Sequence, residues 1–143
     1  MKFNVTKFAA SFLVTSMAYL SPAMGADTLP DEVKQGSVRY VTGGIGADAT
    51  AAFKKVATKY PLELLFAQKA VPNDVYLADV KVTIRQSGKV MLETESGGPF
   101  LLASLPAGKY QIEATSEGVT RQQTVDLQSD KHRRVVFVWD APQ

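Results

Sequence analysis

Residues 97–114 read Gly-Gly-Pro-Phe-Leu-Leu-Ala-Ser-Leu-Pro-Ala-Gly-Lys-Tyr-Gln-Ile-Glu-Ala, and few folds accommodate that run. Phe100, Leu102 and Ser104 alternate with Leu101, Ala103 and Leu105, the period of a strand. Pro106-Ala107-Gly108 stops the run, with Pro106 suited to the second position of a turn and Gly108 free to take positive φ. Tyr110, Ile112 and Ala114 then alternate with Gln111, Glu113 and Thr115, which predicts a second, half-buried strand. The stretch therefore reads as two strands joined by a tight turn.

The same alternation recurs on either side of this stretch. Val80, Val82 and Ile84 point one way and Lys81, Thr83 and Arg85 the other. Ser87-Gly88 predicts a hairpin into residues 89–95. Glu117-Gly118 turns the chain into residues 119–127, and Ser129-Asp130 turns it again into residues 133–139. Short strands at this spacing predict an antiparallel sandwich.

The run from Phe100 to Ala114 resembles the signature of carboxypeptidase regulatory-like domains, a G-x-F-x-L-x-x-L-P-x-G-x-Y-x-L pattern. The resemblance covers residues 78–139. It implies a mainly β fold, a transthyretin-like (prealbumin-like) antiparallel β-sandwich. It also implies an accessory or binding module without catalytic residues of its own. Where that family carries Asp-x-x-Gly before the Phe, this chain has Glu95-Ser96-Gly97-Gly98-Pro99, the mark of a divergent branch.

Upstream the period changes. Residues 37–42 alternate as a strand, and Gly43-Gly44-Ile45-Gly46 follows. Phe53, Val56, Ala57 and Tyr60 then fall on one helical stripe, with Asp48 as expected N-cap and Pro61 as terminator. Residues 62–67 read as another strand, and 68–76 as a loop around Pro72-Asn73-Asp74. The expected organisation is a signal peptide at 1–26, a flexible leader at 27–36, a strand-helix-strand element at 37–77 and a β-sandwich at 78–143.

Export follows from the first segment. Lys2 and Lys7 precede an apolar run at residues 8–20 that is too short to span a bilayer comfortably, and Ser21-Pro22 breaks it. Small residues place cleavage after Gly25 or Ala26. Removal of Lys2 and Lys7, with no acidic residue lost, turns the excess of 16 basic over 14 acidic side chains into balance. A nucleic-acid partner is therefore not expected. No further apolar run reaches the length of a membrane span, so the product is expected in the periplasm or outside the cell. Without cysteine, disulfides, thiolate sites and lipid attachment at a cysteine are excluded.

Candidate chemistry is sparse. Gly44-x-Gly46-x-x-Ala49 matches a relaxed dinucleotide fingerprint, but antiparallel strands follow it rather than further βαβ units, so no cofactor is expected. The glycines are read instead as a turn able to serve as a binding loop, at Gly43, Gly44, Ile45 and Gly46. Lys131-His132-Arg133-Arg134 is the densest basic patch, read as a solvated hairpin turn or an anion site. His132 is the single histidine, so neither a histidine-cluster metal site nor a convincing catalytic triad is expected. Glu93/Glu95 and Glu113/Glu117 are paired carboxylates, read as solvated sheet positions. Trp139 is a candidate platform or core cap. These observations predict an exported, non-enzymatic accessory module for an envelope protein or glycan partner. The alternatives are an envelope-polymer hydrolase using surface carboxylates and a self-associating structural β protein.

Overall fold

The computed structural model describes residues 29–142. The expected signal peptide, and the first two residues of the expected leader, lie outside that range. The elements are β1 (Val33–Gln35), β2 (Val38–Gly43), α1 (Ala47–Val56) running into a 3₁₀ turn (Ala57–Lys59), β3 (Leu62–Gln68), β4 (Val75–Tyr76), β5 (Lys81–Gln86), β6 (Lys89–Glu95), β7 (Phe100–Ser104), β8 (Gly108–Ser116), β9 (Val119–Leu127) and β10 (Arg133–Trp139).

The protein is mainly β. One sheet runs β1-β2-β7-β3-β10, with β4 added to β3, and the other runs β6-β5-β8-β9. Neighbours are antiparallel except β10, which lies parallel to β3 from Arg133↔Leu62 to Trp139↔Gln68. The two sheets share one core in a sandwich-like arrangement. Leu62, Leu64 and Phe66 of β3, with Phe137 and Trp139 of β10, meet Val82, Ile84, Tyr110 and Ile112 of the other sheet. A second core lies on the opposite face of the first sheet, where Phe53 and Ala57 cover Val41, Leu65, Phe100 and Leu102. Burial on two faces is why β3 and β7 are apolar at nearly every position rather than every second one.

The hairpins at Ser87-Gly88 and Glu117-Gly118 form as expected, with both turn residues at positive φ as a type I′ turn requires. Several expectations change: the loop expected at 68–76 contains β4, and β10 joins its sheet parallel rather than antiparallel. The turn at Pro106-Ala107-Gly108 does not make a hairpin: β7 pairs with β2 and β3, while β8 pairs with β5 and β9. The turn carries the chain from one sheet to the other, because β7 is apolar on both sides and fits only between two strands under a helix. The turn before β10 crosses between sheets in the same way. Residues 33–35, expected within a flexible leader, form β1, an edge strand held to β2 through a two-residue turn with Gly36 at φ +60°. Finally, Gly46 rather than Asp48 caps α1; its φ of 90° and ψ of 158° suit glycine alone, and Asp48 sits in the first turn.

Two glutamines close the sides of the sandwich. The Gln35 amide donates to the Glu93 carbonyl at 3.0 Å and accepts from the Glu93 N–H at 2.7 Å, so it pairs with edge strand β6 as a strand residue would. On the other side Gln123 of β9 donates to the Val136 carbonyl of β10 at 2.8 Å.

Candidate functional site

The glycine loop leaves β2 and opens α1, and two of its glycines are required by packing. A Cβ on Gly43 would sit 3.2 Å from the Phe53 ring, and one on Gly44 2.5 Å from the Phe100 ring. A Cβ on Gly98 would strike the Gly43 backbone, so the chain before β7 passes directly beside the loop. Gly46 differs: nothing lies within 4 Å of its Cβ direction. The loop is fixed by Thr50, whose hydroxyl donates to the Gly44 carbonyl at 2.7 Å and whose N–H donates to the Gly46 carbonyl at 2.9 Å.

Gly44, Ile45 and Gly46 form one wall of a groove of about 510 Å³, continued by the α1 positions Ala47, Thr50 and Lys54. Tyr76, Leu77, Ala78 and Pro99 form the other wall. Ile45 is 68% exposed and Tyr76 49%, high values for large apolar side chains. The Tyr76 ring meets Phe100 edge-on at 5.9 Å, which holds an exposed aromatic in place. Lys54 is the groove's one charged lining residue, and among the described residues it makes no ion pair. Gly43 lies beneath the loop, against Phe53, rather than in the groove.

Trp139 is placed elsewhere. It is 4% exposed, packs against Phe66 and Phe137, and donates its indole N–H to the Val119 carbonyl at 2.9 Å. It caps the core and borders a separate cleft of about 270 Å³ beside Arg121 and Asp140. It is not brought together with the glycine loop.

The basic patch is divided by its partners. Glu63 is 5% exposed and receives Arg134 Nε and His132 Nε2, both at 3.3 Å, while His132 Nδ1 lies 2.8 Å from the Tyr60 carbonyl. His132 and Arg134 thus serve a buried acid on the neighbouring strand. Lys131 and Lys59 line an open cleft of about 480 Å³ at that end, which Asp130 shares. Close by, Tyr60 donates its hydroxyl to Glu32 at 2.7 Å. Burial, then that hydrogen bond and the Glu32 charge, push its pKa up to about 12.

The carboxylates Glu93, Glu95 and Glu113 lie on the outer face of the second sheet among Lys81, Thr83 and Thr115. Arg85 pairs with Glu113 at 2.7 Å. Among the described residues, no group of three or more histidine, aspartate or glutamate side chains is arranged to hold a metal ion. Among the same residues, no helix is long and apolar enough to cross a membrane.

Glycine content made the loop conspicuous in the sequence. Tyr76, Pro99 and Lys54 were not linked to it. Their one local signal is the spacing of Ala47, Thr50 and Lys54, which run down α1 beside its buried stripe. No protein-family model and no curated protein sequence matches the chain.

Proposed function

We propose that this chain is an exported, non-enzymatic binding or accessory module of the cell envelope that engages a partner protein through the groove between the glycine loop and β4. The observation that carries the reading is the exposure of Ile45 and Tyr76 across a groove whose walls are fixed from beneath by Thr50 and Phe100. An exposed apolar groove beside a sheet edge suits an extended protein segment. The groove offers a glycan few free hydrogen-bonding side chains, since Thr50 already donates its hydroxyl to the loop. The likeness to carboxypeptidase regulatory-like domains belongs to the same proposal. Two sheets around one core agree with a transthyretin-like ancestry, and the parallel β3–β10 pair is a departure from the expected antiparallel sandwich.

The test is recovery of partners from periplasmic extract by the chain and by Ile45→Asp. Ile45 is solvent-facing, so the variant should keep the parent Tm and lose the partner. A partner retained equally by both would overturn the groove as the working surface. Turnover of a glycan or ester, abolished by changing one polar residue, would overturn the non-enzymatic reading. Mass analysis of the exported product should place its first residue at Ala26 or Asp27.

A further inference from the structure

Within that binding-module reading, on which this step rests, the geometry points to a narrower partner: an extended peptide segment that adds to β4 as a strand, places an apolar side chain in the groove and sets an acidic group at Lys54. The first sheet has an empty lane there. β7 starts at Phe100, opposite Gly43 on one side and Leu65 on the other. Beyond that point β4 takes its place beside β3, opposite Ala67 and Gln68. The next lane should be filled by a continuation of β2, but the chain leaves it at Gly44 to enter α1. Among the described residues β4 therefore has a neighbour on one side only.

The hydrogen-bond pattern shows which groups that leaves. Leu77 N–H donates to the Phe66 carbonyl at 3.0 Å, so residue 77 and, by alternation, residue 75 bond to β3. Tyr76, between them, directs its N–H and C=O away from β3 toward the groove. Among the described residues, no turn or loop hydrogen bond uses them. Unpaired strand groups beside an apolar pocket are what an added strand requires: main-chain bonds supply affinity and alternate side chains supply selectivity.

The face of the sheet determines the side-chain preference. Tyr76 lies on the same face as Phe100, which packs under α1. A residue paired opposite Tyr76 would project to that face, between Ile45 and Thr50. Lys54 lies one turn further along α1 and, among the described residues, makes no ion pair, so a carboxylate on the added segment is the complementary charge.

The experiment selects phage-displayed random linear peptides, about a dozen residues long, on the full chain in whatever processed form the cell yields. Enriched peptides should share alternating apolar residues and one acidic position. A synthetic representative should bind at least roughly tenfold more weakly to Ile45→Asp and to Lys54→Glu. Methylating its backbone nitrogen opposite Tyr76 should have a similar effect, and its binding should shift the Tyr76 and Gly46 amide resonances. Absence of enrichment overturns the proposal. So does binding that is indifferent to backbone methylation and to Lys54→Glu, which is apolar adhesion only. A concentration-dependent dimer that shifts Tyr76 without peptide identifies a second copy as the occupant and also overturns it. Loss of the envelope partner by Ile45→Asp without any enriched peptide leaves the binding-module reading standing and this inference refuted.

Discussion

At the scale of single residues, the three loop glycines answer to different physics. Gly44 has φ +99° and its Cβ direction meets the Phe100 ring, whereas Gly46 has φ +90° and open space. Gly46→Ala should cost about 1–2 kcal/mol from backbone strain. Gly44→Ala adds displacement of a core ring and should cost about 3–5 kcal/mol. Denaturant titration of the two variants checks the order. Tyr60 gives a pH-dependent prediction. Its pKa is about 12 in the folded chain against 10.0 ordinarily, so folding favours the neutral phenol. The associated stability is complete below pH 10 and disappears as pH rises from 10 through 12. Tyr60→Phe should lose less stability across that interval than the parent, measured by denaturation at pH values on either side of it. Burial raises Tyr110 as well, but its contribution is common to both proteins and cancels.

At the scale of elements, the sheet edges are managed by side chains. Gln35 occupies both main-chain groups of Glu93 on edge strand β6, and a register shift between Ile84 and Arg85 interrupts the β5–β6 ladder nearby. Gln35→Leu keeps bulk and removes both bonds. It should cost about 1 kcal/mol and leave a strand edge open to another molecule. Sedimentation velocity at rising concentration should show larger species for the variant and none for the parent. Local pattern made most of these elements readable. The alternation of Val80, Val82 and Ile84, and of Tyr110, Ile112 and Ala114, predicted inward positions that are fully buried. Period reports which way a side chain points, and it is silent about which strand lies alongside. Hence the turn at Pro106 looked like a hairpin and is a crossing. The groove shows the same division. Its glycines are conspicuous in the sequence, while Tyr76 comes to it only because β4 takes over the lane of β7, and Lys54 because α1 packs across that sheet.

At the scale of the whole molecule, the strand-helix-strand segment and the remainder of the chain share a sheet. β7 is inserted between β2 and β3, and β10 completes the far side of β3. Val135, Phe137 and Trp139 of β10 fill one flank of the core between the sheets. A chain ending at Gln128 should therefore fail to fold, and its amide spectrum should lack the dispersion of the full chain. The apolar β3 would then have an open edge, and such truncated chains should aggregate.

The insertion of β7 also has a meaning in time. α1 cannot be sealed onto its sheet until residues 100–104 arrive between strands whose paired residues precede them by 35 to 65 positions. The sandwich core waits longer, for β10 near the end of the chain. Pairings of such long sequence separation form slowly, since each must close a large loop before it gains anything. Emerging chain should thus lack the closed core between the sheets until β10 is present, and a nascent chain paused before that point is expected to stay open to proteases.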